Sequence, residues 1–181
     1  PLVGRLMRDR VLLLLAAAIA LYVGAEMSLA QWISPMMQRH FAHSETAALL
    51  GGAGLFWLSM GIARIGSGLL CHRYPGFTVL RWLLVGGLCA FIVLLLPLGE
   101  WRLWAGVALA GIAFSGIWPL IVSIGSARYP HISGTAVALL VASGTIGGML
   151  FPPISGFVIE RTTPFAGLLA MMGYFAALTF I

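Results

Sequence analysis

Six apolar runs follow one another along this chain, at about residues 11–37, 47–71, 77–97, 103–127, 133–159 and 164–181, and most charged residues fall in the short links between them. A helix needs about 20 residues to cross a hydrocarbon core of ~30 Å. Backbone N–H and C=O groups find no water there, so only helices and closed barrels cross. The runs are continuous rather than alternating, which predicts helices. Composition agrees. Hydrophobic residues make up 61% and charged residues 8%, with a mean hydropathy of +1.04, whereas about a quarter of a soluble domain is charged. The expected fold class is an all-α integral membrane protein with six transmembrane helices, and its first partner is the lipid bilayer.

The links "QRHFAHSET", "HRYPG", "PLGEWR", "RYPHIS" and "ERTTP" are short, so sequential spans should run antiparallel. The net charge is +5, with arginines and no lysine. Most arginines flank apolar runs, so the charge reads as topology rather than as a nucleic-acid surface. Arg5, Arg8, Arg10, Arg73, Arg81 and Arg128 fall on the N-terminal side, and Arg39, Arg102 and Arg161 on the other. That bias places the N-terminus in the cytoplasm of a multi-pass protein of the inner or plasma membrane. Cys71 and Cys89 lie in or beside apolar helices, and no CxxC or HxxxH spacing occurs, so neither a disulfide framework nor a metal site is expected. The first run is too long for a signal peptide. Residues 1–10 read as a cytoplasmic linker. The start at Pro1 and the stop at Ile181 inside an apolar run lead us to expect a fragment, with the last helix cut short.

An internal echo divides the chain further. "SGLLCHR" ends the second run at 67–73 and "SGFVIER" ends the fifth at 155–161. Elements three spans apart point in opposite directions, which is how inverted repeats are built in transporter folds. The expected organisation is two inverted three-helix repeats, 11–97 and 98–181.

Within the spans, "ALYVGAEMSLAQW" (20–32) holds Glu26, the one charge between Val11 and Gln38. An ionisable residue inside a membrane is a functional-site hypothesis by default. Three readings stand open: a proton-carrying acid, a fixed acceptor for substrate hydroxyls, or a structural carboxylate kept neutral or paired. Tyr22 lies four residues earlier on the same face, and Ser28 with Gln31 makes a second polar stripe. Arg64 precedes His72 by eight residues, about 12 Å of helix rise, while Glu26 follows Arg10 by about 24 Å. By that count Arg64 is a shallow arginine, snorkelling or touching a substrate anion, and does not pair with Glu26.

Breakers gather in three spans: Gly24 and Pro35 in the first, "FSGIWP" (114–119) in the fourth, and Gly144, Gly147, Gly148, Pro152 and Pro153 in the fifth. They mark either dense packing with tolerated kinks or helices that bend as a cavity opens. The third span has few and reads as a lipid-facing support. Trp57 and Trp118 fall near mid-helix, as core aromatics or as a stacking platform for substrate. Trp82, Trp101 and Trp104 sit at span ends as interface anchors. The histidines His40, His43, His72 and His131 lie in links.

"GIARIGSGLLCHRYPG" resembles the loop motif of the major facilitator superfamily, through Gly68, Leu70, Arg73 and Gly76, with His72 at the usual acidic place and Arg64 at a common "GR" position. "YVGAEMSLAQW" and "GIWPLIVSIGSARYP" are similar to the seventh and tenth helices of its fucose/glucose–galactose permease group. The resemblance covers nearly the whole chain as helices seven to twelve. It implies the C-terminal half of a sugar/proton symporter, with the N-terminal six-helix half absent. It also implies a cytoplasmic gate at Arg64, Gly68, His72, Arg73 and Gly76, and a central cavity lined by the first, second, fourth and fifth spans.

Residues and resemblance together predict secondary active transport of a small polar solute, a sugar above all, by alternating access with proton or sodium coupling. The candidate binding or coupling residues are Glu26, Tyr22, Gln31, Trp57, Ser115, Trp118, Ser143 and Thr145. No catalytic step and no cofactor is expected, since no HExxH, paired Asp or Ser–Lys arrangement falls within the spans. Two alternatives stay open: a half-unit or scaffold that acts only when paired with another half, and a transporter of another organic solute or of drugs.

Overall fold

Asp9 opens the first helix. Its Oδ1 accepts the backbone N–H groups of Val11 at 2.9 Å and Leu12 at 3.4 Å, two of the donors a helix start leaves orphaned. The computed structural model describes residues 9–41, 44–97 and 99–181, with residues 39–41 described by backbone alone. Of the linker expected at 1–10, residues 1–8 lie outside the described residues, as does His43. The side chains of Arg39 and His40 lie outside them too.

Every regular element among the described residues is helical. Helix α1 spans Arg10–Phe41 and continues through Pro35. The second segment comprises α2 (Glu45–Leu49), a π-helical turn (Leu50–Gly54) and α3 (Leu55–Arg73). The π turn is anchored from α1, where Ser34 Oγ accepts the N–H of Ala53 at 3.0 Å. Pro75 then starts α4 (Gly76–Leu95). The fourth segment is α5 (Trp101–Phe114) and α6 (Ile117–Arg128), broken at Ser115–Gly116. A short 3-10 turn (Pro130–Ile132) leads to α7 (Ser133–Arg161), and α8 is Pro164–Leu178.

Among the described residues, five segments are long and apolar enough to cross a membrane. The sixth, α8, has 15 residues, about 22 Å of rise, short of the ~30 Å core. The span expected over 164–181 is therefore a shorter apolar helix. The breakers also act unequally. Helix α7 continues through Pro152 and Pro153, and among the described residues of these three breaker-rich spans the fourth is the one that breaks.

Helix α1 packs on α6, α7 and α8, α3 packs on α5, and α4 packs on α5 and α8. Phe114 is the hub of the buried core. Its ring stacks on Phe175 of α8 at 4.8 Å and meets Tyr22 of α1 at 5.8 Å and Phe56 of α3 at 5.9 Å edge-on. Phe91 of α4 tilts against it at 6.2 Å. All five rings are fully buried. Aromatic pairs at such separations add to area burial, and five segments meet here at the end of α5.

Candidate functional site: the broken fourth span

The sequence "FSGIWP" explains the break. Pro119 has no N–H, so the carbonyl four residues back, that of Ser115, loses its helical donor. Gly116 lies so close to Leu83 of α4 and Ser67 of α3 that a Cβ there would sit 2.8 Å from the Leu83 side chain and 3.0 Å from Cβ of Ser67. The chain passes through the break because no side chain intervenes.

Two side chains fill the carbonyls at this point. Arg64 Nε of α3 donates to the freed Ser115 carbonyl at 3.2 Å. The Tyr22 hydroxyl of α1 donates to the neighbouring Phe114 carbonyl at 2.9 Å. Arg64 Nη2 also reaches Sδ of Met60 at 3.5 Å. Glu26 lies one turn from Tyr22, is 6% exposed, and has its carboxyl beside the Tyr22 hydroxyl within electrostatic reach of Arg64. Arg64 and Glu26 form no ion pair among the described residues, yet they lie within electrostatic reach of each other, nearer than the depth count from the sequence allowed. The reason is the length of α1. Its 32 residues span about 48 Å, more than a ~30 Å core, so a count from Arg10 does not fix the depth of Glu26.

A separate cavity of about 350 Å³ is lined by Val23 and Met27 of α1, Trp118 of α6, and Val141, Gly144, Thr145, Gly148 and Met149 of α7, and none of Tyr22, Glu26 and Arg64 lines it. Ligand pockets start at about this size. Of the candidates named from the sequence, Trp118 and Thr145 both line it. The Thr145 hydroxyl donates back to the Val141 carbonyl at 3.0 Å, leaving its lone pairs as acceptors.

The other candidates scatter. Ser115 is buried with its hydroxyl unpaired. Gln31 is exposed while Ser28 is fully buried and unpaired, so the second polar stripe is not one surface. Trp57 is 43% exposed and lies edge-on to Phe56, away from that cavity. Ser143 donates to the Leu139 carbonyl at 2.8 Å. His72 and Arg73 are exposed at the end of α3, Gly68 faces open space, and Gly76 begins α4 with Leu120 of α6 close by. Arg64 is exposed, yet its Nε is anchored on Ser115, apart from these loop residues.

Sequence reasoning missed Phe114, Met60 and Trp32. Trp32 Nε1 donates to the Pro152 carbonyl at 2.9 Å, tying α1 to α7. The signal for the Ser115 carbonyl was present: a proline always empties the acceptor four residues back.

A bundle of long apolar helices with a broken span at its centre is the frame in which the similarities to known proteins stand. Residues 1–152 match the family described as Major Facilitator Superfamily. The chain belongs to that superfamily. It is a multi-pass membrane protein, and the loop resemblance at 61–76 falls inside the matched region. Over 142 residues this superfamily member is 28% identical to Sodium-dependent glucose transporter 1 of Danio rerio, across 76% of this chain and 23% of that protein. Over 111 residues it is 32% identical to NAD(P)H-quinone oxidoreductase chain 4, chloroplastic, of Cryptomeria japonica, across 61% of this chain and 21% of that protein. The chain spans less than a quarter of the length of these curated relatives.

Proposed function

We propose that the chain is the C-terminal half of a secondary transporter that moves a small polar solute, a sugar above all, by alternating access. In this reading it supplies helices seven to twelve as two inverted three-helix repeats, divided near residue 97, and works with an N-terminal six-helix half. The packing of α1 on α7 and of α3 on α5 supports the repeats, since exchanging spans one, two and three with four, five and six maps one contact onto the other. The N-terminus is cytoplasmic and the membrane is the inner or plasma membrane. The chain performs no covalent chemistry and carries no cofactor; its driving force is a proton or sodium gradient.

The observation that carries the reading is Glu26, a buried carboxyl beside Tyr22 at the broken fourth span. Its position suits coupling. Trp118 offers an aromatic face for sugar C–H bonds, and Thr145 offers acceptor lone pairs for hydroxyls. The glucose transporter among the relatives supports a sugar and raises sodium as the coupling ion.

The test is uptake by the complete transporter in proteoliposomes, with radiolabelled sugars and an imposed proton or sodium gradient. Sugar accumulation that follows one gradient is expected, and Glu26→Gln should abolish accumulation while leaving sugar exchange across the membrane. No gradient-dependent uptake of any sugar would overturn the substrate class. Full accumulation by Glu26→Gln would remove Glu26 from coupling.

A further inference from the structure

We propose that Tyr22 and Arg64 latch the broken fourth span by its two carbonyls, and that Glu26 opens both latches when it loses its proton. The inference deepens the coupling role given to Glu26 above.

A phenol has one proton to donate, and Tyr22 places it on the Phe114 carbonyl. What Tyr22 turns toward Glu26 is therefore its lone pairs. A protonated Glu26 can donate to those lone pairs, and the Tyr22–Phe114 bond survives. An ionised Glu26 is acceptor-only. It draws the Tyr22 proton toward itself in a charge-assisted hydrogen bond, which is about twice as strong as the neutral one to a carbonyl. The same charge pulls the Arg64 guanidinium away from Ser115. The Glu26 proton passes to water on release and returns from water, so the balance needs no other reactant.

Both released carbonyls belong to the joint between α5 and α6, where the Ser115 carbonyl already lacks its helical donor. A joint gripped by two side chains from two other spans is a place where a local proton event becomes a change in helix geometry. Tyr22 on α1 and Arg64 on α3 are the titratable groups that act on Glu26 among the described residues; α5, α6, α7 and α8 contribute none.

Hydrogen–deuterium exchange of the complete transporter in nanodiscs tests this without any solute. Peptides covering 114–121 are followed across pH, corrected for the intrinsic pH dependence of exchange. Protection in the native protein should fall as pH rises through the titration of Glu26. Glu26→Gln should stay protected throughout. Tyr22→Phe should exchange about fivefold faster at low pH, the equivalent of one lost hydrogen bond. A native pH profile in Glu26→Gln would overturn the proposal, and so would one in Tyr22→Phe. Should Tyr22→Phe fail to fold, the Glu26→Gln profile decides alone. A pH-switched joint without sugar uptake keeps the latch and overturns the transport reading; sugar uptake with a flat exchange profile does the reverse.

Discussion

Gly147 of α7 lies against the backbone carbonyl of Ala20 in α1, with no room for a Cβ between them. Membrane helices gain no hydrophobic drive from meeting each other, so close backbone approach through small residues is a main source of their association. Gly144 and Gly148 extend the contact onto Val23. Gly147→Val should therefore destabilise the bundle by about 1–3 kcal/mol or more, the usual range for overpacking. Gly173→Ala in α8, where a new Cβ meets nothing within 4 Å, should be neutral or stabilising by up to about 1 kcal/mol. Unfolding of the two variants by SDS titration in mixed micelles compares them directly.

Trp32 and Gly156 should be energetically coupled. A Cβ on Gly156 would collide with the Trp32 ring, whose indole N–H is fixed on the Pro152 carbonyl. Gly156→Ala alone forces the ring to move and strains that bond. In a Trp32→Phe background the smaller ring leaves room. A double-mutant cycle read by the same titration should show coupling of about 0.5–3 kcal/mol, with the second substitution costing less after the first. Simple additivity would mean the ring relaxes freely.

Asp9 and Tyr129 should set a weak acid dependence at one end of the bundle. The Tyr129 hydroxyl meets no partner at ordinary hydrogen-bond geometry, yet it lies close enough to lower Asp9 below the usual carboxylate value. The N–H groups of Val11 and Leu12 and the charge of Arg128 lower it further. A carboxylate lowered by folding contributes stability above its unfolded pKa and loses it as pH falls through the folded one. Stability should thus decline below about pH 4. Asp9→Asn keeps a capping side chain and removes the titrating charge, so that part of the acid decline should vanish. Melting curves from pH 3 to 7 test it; an unchanged slope assigns the decline elsewhere.

The spans were legible in the sequence because lipid as solvent leaves few options: length and continuity settle a helix whatever its neighbours. The break was half legible. Pro119 marks Ser115 as a carbonyl without its helical donor, but which side chain fills it depends on the packing of α3 against α5. The nearness of Glu26 and Arg64 was hidden because depth was counted from link residues, and α1 is longer than the core it crosses. Ser28 and Gln31 lie about 60° apart around α1, and the boundary between packed and open surface falls between them. Polarity could not mark that boundary, since Ser28 is polar and fully buried.

The cavity between α1, α6 and α7 separates the two mid-span tryptophans. Trp118 lines it, beside Met27 and Thr145, whereas Trp57 lies away from it on α3. If solute binds there, Trp118→Ala should weaken binding by about tenfold, the loss expected when an aromatic anchor is truncated. Thr145→Val removes the acceptor lone pairs at nearly constant volume and should weaken binding by a few-fold. Trp57→Ala should leave affinity within about twofold. Solute-induced protection against thermal unfolding of the complete transporter reports all three without requiring a gradient. Equal losses from Trp57→Ala and Trp118→Ala would move the site to the exposed face of α3. No loss from Trp118→Ala would show that the cavity is a packing defect rather than a binding site.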